Sequence, residues 1–302
     1  MSAETPEVVA VPGPEPLASR FSWAEFVAYF RGSWTIGKYT WREGMRKKTL
    51  IGFLILSILV IFGSSFMTAF LTQTTVGDAM VDIEAKLIKD ICITTISIFG
   101  VLITIFISAS VVPAEIENKV IYTVLSKPVR RGQYLFGKFI GIQLIVILNL
   151  ALMGGLFFMA LYAKQHILPT LLLWSIFLTY FEFLVVSAFT FAFACASTSS
   201  VVPTIAGLFI YITGHLTEYL KDVYNRAGQT ENPLDILIGK IAIGLWHVLP
   251  NLQNFSLRHH ILYLQPNDPP RDVLFPNLIA YGLVYAVCGY LIAYLVFFRR
   301  EL

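Results

Sequence analysis

The side chains of this chain that could do chemistry fall into two groups. Residues 114–137 read AEIENKVIYTVLSKPVRRGQYLFG. They set Glu115 and Glu117 against Lys119, Lys127, Arg130 and Arg131, with Ile116, Val120, Tyr122, Val124 and Leu125 between the charges. Pro128 stiffens the turn and Gly132 and Gly137 permit close backbone approach. This mixture suits contact rather than catalysis, with a solvated, positive-inside loop that meets no partner as the alternative. Apolar side chains seat in a partner's cleft while the charged ones meet its rim or lipid headgroups. Pro113 is placed to end the preceding run or start a new helix, which leaves Glu115 and Glu117 hydrated near a positive helix end. The second group is Glu182, a lone carboxylate inside LTYFEFLVV. A carboxylate facing lipid is costly, so it must turn to a protein interface or polar cavity, or take up a proton. Thr179, Tyr180 or a polar group of another segment could satisfy it, in structural packing or along a transport path or gate. Glu218, close to Lys221, is placed at the outer mouth of that path.

Enzyme chemistry finds no support. There is no GxxxxGK[ST] phosphate loop and no HExxH pair, and Cys92, Cys195 and Cys288 are too widely separated to suggest a thiol or metal site. His259 and His260 fit a polar outer loop, and His247 lacks a recognisable base and nucleophile partner. No catalytic, metal or cofactor-binding residue is expected.

The elements that must position these groups are membrane helices. Hydrophobic residues make up 56% of the chain and charged ones 14%, with a mean hydropathy of +0.70; a soluble domain carries roughly 25% charge. Apolar runs at 50–71, 91–112, 139–163, 171–194, 201–220 and 273–298 mostly match the roughly 20 residues a helix needs to cross a bilayer. Continuous runs favour helices over a barrel, whose strands alternate. The six spans form a domain over 49–300, with CASTSS at 195–200 as a tight turn. Lys and Arg cluster at 31–48, 127–138 and 299–300. Six spans put all three clusters on one side, which the positive-inside rule makes cytoplasmic together with both termini.

Residues 1–20 read as a flexible cytoplasmic tail, with no cleavable signal peptide apparent. Residues 21–48 place Trp23, Phe26, Phe30, Trp34, Tyr39 and Trp41 among basic side chains at spacings near three and four, as in an amphipathic helix lying at the headgroups. A packed helical domain or nucleic-acid patch is the alternative, and attachment to a membrane span favours lipid over nucleic acid. On the opposite side, the loop 221–272 contains a predicted amphipathic helix from 233 to 249, with Leu234, Leu237, Ile238, Ile241, Leu245 and Leu249 on one face. Asn149, Gly154 and Gly155, and Ser57, Gly63 and Ser64, are positioned for close helix contacts.

The block 115–138, with its acidic short helix, Leu-Ser-Lys-Pro turn at 125–128 and Arg-Gly step at 130–132, resembles the cytoplasmic coupling segment of ABC-2 type transporter permeases. The resemblance extends over most of the chain, and WHVLPNLQNFSLR at 246–258 is similar to a segment of a bacterial subgroup. It implies an all-α, six-helix membrane fold of type V exporter-like architecture with an N-terminal interfacial helix and a coupling segment at 113–133. It also implies short extracytoplasmic helices capping the path, and location in the bacterial cytoplasmic membrane. Two ABC ATPase subunits carrying ATP and Mg would be partners, with a second permease copy or related chain, lipid and a possible accessory protein. The function implied is a permease subunit, in the direction of export. A subunit transmitting force to an external protein without solute transport, or a passive scaffold, are the alternatives. No substrate can be read from these motifs.

Overall fold

The computed structural model describes residues 23–73, 78–120, 130–165, 170–227, 233–256 and 271–300. The 1–20 tail and the His259-His260 pair lie outside them, and among the described residues the elements are helical throughout. In chain order they are α1 (Trp23–Met45), α2 (Lys48–Gln73), α3 (Asp78–Glu117), α4 (Arg131–Gln165), α5 (Thr170–Ala196), α6 (Val201–His215), α7 (Thr217–Ala227), α8 (Pro233–Val248), a 3-10 turn at Gln253–Phe255 and α9 (Arg271–Phe298).

Among the described residues four stretches are long and apolar enough to cross a membrane unaided: Lys89–Glu117 in α3, Arg131–Tyr162 in α4, Leu173–Ala196 in α5 and Pro276–Phe298 in α9. Among the described residues two further spans are found when bent pairs count as one each, Val27–Met45 of α1 with Leu50–Ser64 of α2 at 61° and α6 with α7 at 55°. The expected fifth span is therefore broken. Leu216 closes α6 by donating its N–H to Ile212 O and Thr213 O, and the Thr217 hydroxyl donates to Thr213 O and Gly214 O. Side-chain donors thereby compete with the helical ladder and turn the chain.

The second span also departs from expectation at its end. Pro113 neither stops nor restarts the helix: α3 runs through it to Glu117 with Pro113 buried. A proline removes only one ladder bond, and here buried neighbours on both sides hold the helix together. Termination comes at Lys119, whose φ of 57° is left-handed. Its N–H reaches Ile116 O, and the Asn118 amide reaches Ala114 O, so the last carbonyls are satisfied by a C-cap.

The hub is α5, on which α3, α4, α6 and α9 all pack. Residues 181–188 are buried all round, as expected of a helix apolar on every side. Gln143 of α4 donates to the Ser187 hydroxyl at 2.8 Å. A Cβ placed on Gly289 of α9 would stand 3.0 Å from the Ala188 Cβ, so the two helices approach closely. Gly154 abuts Ile176 of α5, whereas Gly155 and Gly63 face open space.

The basic ends of these helices are stitched together. Arg131 at the start of α4 donates to Phe298 O and Arg300 O beyond α9, and Arg300 donates to Cys195 O and Ser197 O at the end of α5. Cations on the last carbonyls of a helix satisfy unpaired acceptors and oppose the helix dipole.

Candidate functional site

At the basic end α3 meets α4 around one carboxylate. Glu115 is 4% exposed and accepts hydrogen bonds from both the Lys138 ammonium and the Tyr134 hydroxyl. Tyr134 and Lys138 are four residues apart, one turn of α4, so both reach one point. The ammonium also lies 5.7 Å from the ring centres of Tyr39 and Tyr134, within cation–π range. Tyr134 in turn stacks on Phe297 of α9. Glu115 is thus not the hydrated contact residue that the sequence suggested. Because α3 continues past Pro113, its helical phase carries Glu115 inward to a buried pair.

Close by, Lys47 between α1 and α2 donates to Ser110 of α3 at 2.7 Å. Burial holds its ammonium below the ordinary range, and Glu43 pulls it back up.

What remains for a partner is the rim. Glu117, Lys119 and Arg130 are exposed, while Ile116 and Val120 are half-buried and Ile116 packs against the core. Tyr122, Leu125, Lys127 and Pro128 lie outside the described residues. Arg131, expected at the rim, has its guanidinium turned to the α9 end. In sequence the rim joins the end of α3 to the start of α4, and the Glu115 pair ties these two helices to each other.

The N-terminal helix is amphipathic in a different sense from the one expected. Its packed stripe is small rather than aromatic: Ser33, Gly37, Thr40 and Gly44 are buried against α4. A Cβ on Gly137 would stand 2.5 Å from Ser33 O, and one on Gly141 2.5 Å from the Thr40 Cβ. The Ser33 hydroxyl donates to Gln133 O, and the Gln133 amide donates to Tyr29 O. Phe30, Trp34, Tyr39 and Trp41 stay exposed on the other sides, with the Lys38 ammonium over the Trp34 ring. Trp23 and Phe26 belong to the first turn of α1, and their side chains lie outside the description. Rings and cations facing outward can sit among lipid headgroups.

Glu182 lies halfway along α5 and is 2% exposed. Thr179 does not serve it, since that hydroxyl donates to Ser175 O. The group that approaches is His215 at the broken end of α6, its Nε2 3.6 Å from Glu182 Oε1. Sequence reasoning missed this residue because it lies 33 positions away in another helix. Around the same break, Leu252 donates its N–H to Gly214 O, and Tyr281 of α9 accepts from Asn251 N–H. The LPNLQNF segment is thereby docked on α6 and α9, with Leu252 and Phe255 fully buried. Glu218 falls in the first turn of α7, and its side chain lies outside the description.

In the loop beyond, α8 forms as expected and packs on α7, where the Lys221 ammonium lies over the Trp246 ring. Leu234, Leu237, Ile238, Ile241 and Leu245 remain exposed. Among the described residues no three His, Cys, Asp or Glu side chains gather as a metal site.

Comparison with known families finds one whose model, described as ABC-2 family transporter protein, matches residues 34–302. No curated protein matches the chain.

Proposed function

The chain belongs to the ABC-2 transporter family, as a multi-pass membrane permease component, and we propose that it works as the permease subunit of an exporter driven by two separate ATPase subunits. Two copies of the chain, or one copy and a related chain, bind the ATPases at the basic end, which faces the cytoplasm of a bacterial cell with both termini. ATP and Mg reside on the partner. Closure of its nucleotide domains presses on the segment 113–133, and binding energy in the partner shifts the population between inward-facing and outward-facing arrangements.

The observation that supports this reading is the build of the basic end. An exposed rim of Glu117, Lys119 and Arg130 sits directly on a buried Glu115–Lys138–Tyr134 cluster joining α3 to α4. A soft loop would absorb a push. A rim backed by a desolvated ion pair passes it to the two helices as one body, and from them to α5.

The deciding experiment is affinity purification from native membranes in mild detergent, with copurifying proteins identified and ATPase activity assayed. A stoichiometric ATP-binding partner that is lost on substitution of the rim supports the reading. An intact assembly without any ATPase refutes it.

A further inference from the structure

Glu182 and His215 form a pair whose hydrogen bonding does not close without one extra proton. The Nδ1 atom of His215 lies 3.2 Å from Tyr211 O. A carbonyl oxygen only accepts, so Nδ1 carries the proton of the neutral ring and Nε2 presents a lone pair. That lone pair faces Glu182 Oε1 at 3.6 Å, an atom with no hydrogen-bond partner among the described residues. Two acceptors facing each other in a buried place repel. One proton between them, on the carboxyl or on the imidazole, turns the contact into an attraction.

We infer that Glu182 and His215 form a proton-binding site within the membrane domain, with His215 as the port through which the proton reaches and leaves the buried carboxylate. Exposure separates the two roles: the Glu182 side chain is 3% exposed and that of His215 33%. The neutral imidazole takes a proton from outside at Nε2 and becomes an imidazolium. A small rotation of the ring then brings Nε2–H to Oε1, the carboxylate becomes a carboxyl, and Nε2 recovers its lone pair. Tyr211 positions the port, since its ring lies 4.5 Å from the imidazole and its carbonyl fixes the tautomer.

Among the described residues of the helices packed on α5 no other charge competes at this depth, and α7 beyond the break carries Glu218, Lys221 and Asp222. Residues 91–114, 139–163 and 273–298 of the helices packed on α5 bring no Asp, Glu, Lys, Arg or His, only tyrosine phenols and the Cys92 and Cys288 thiols. The docked segment 250–255 brings no titratable side chain, and α6 adds the Tyr211 phenol. With one proton bound, a charged or hydrogen-bonded pair draws the broken end of α6 onto the hub. With none, that end is repelled. Proton occupancy therefore biases the position of α6; its consequence for transport rests on the permease reading above, but the site itself does not.

The test uses the purified full chain in lipid nanodiscs without any ATPase, so failure of the permease reading leaves it untouched. Infrared difference spectra are recorded against pH for the wild type, E182Q and H215Q. The expected result is a protonated-carboxyl band that is absent in E182Q, disappears as pH rises in the wild type, and persists to higher pH by about 1–3 units in H215Q, where the neighbouring cation is gone. Comparison of the wild type with H215Q reads the same coupling should E182Q fail to fold. A spectrum with no titrating band that H215Q shifts overturns the site.

Discussion

Lys138 of α4 donates to Glu115 of α3 across 23 positions of sequence, and both side chains are almost wholly buried. The pair closes the junction between the two helices that flank the rim. A desolvated pair of this kind adds little net stability over an apolar substitute, but removing one partner strands a buried charge.

K138M should destabilise the protein by about 3–5 kcal/mol, because the Glu115 carboxylate loses its cation in a dry site. The double variant E115L/K138M should recover much of that loss. Thermal unfolding of the single and double variants in one detergent measures both. Equal damage in the two would mean that the pair does not act as a unit.

G137L and G141L should detach α1 from α4. A side chain at Gly137 meets the Ser33 carbonyl and not a flexible tip, so relief requires the helix to move, at a cost of about 1–3 kcal/mol or more. Disulfide trapping between cysteines placed at Gly32 and Gln133, where a Cβ on Gly32 would stand 3.7 Å from the Gln133 Cγ, reads the contact directly. Efficient trapping in G137L would contradict the proposed close approach.

E117K and R130E should leave the fold intact, since both side chains are exposed, while reducing recovery of the ATPase partner several-fold. Melting temperature and copurified ATPase are measured on the same preparation. L125D extends the test into the turn. Normal recovery and normal coupling of hydrolysis to transport in all three variants would remove the rim from the mechanism.

Y281F should loosen the docked LPNLQNF segment by about 1 kcal/mol, since Asn251 N–H loses its acceptor. L252P deletes the N–H that Gly214 O receives and should cost more. Hydrogen exchange at residues 250–255 is the readout, and unchanged protection in both would show that the segment is held elsewhere.

The membrane class and most spans were legible because apolar runs of the required length leave little choice. The elements that eluded reading share a cause, which is that their partners are distant in sequence. Glu115 looked hydrated because Pro113 looked like a stop; only the uninterrupted phase of α3 carries it to Lys138. Glu182 looked solitary because His215 comes from another helix. The span through 201–220 reads as continuous until Thr217 and Leu252 take up the carbonyls of its last turn. In α1 the informative signal was present in the spacing of Ser33, Gly37, Thr40 and Gly44, four, three and four apart, but the large rings drew attention to the opposite sides. The rim's Tyr122, Leu125, Lys127 and Pro128 lie outside the described residues.

The unbroken course of α3 carries a mechanical consequence. Its 40 residues make a rod about 60 Å long, roughly twice the hydrocarbon thickness of a bilayer. Because one continuous helix joins the two ends, tilting or sliding it at the Glu117 end displaces the Asp78 end as well. On the permease reading proposed above, a push received at the Glu117 end is carried along this helix as motion, and no diffusing messenger has to pass.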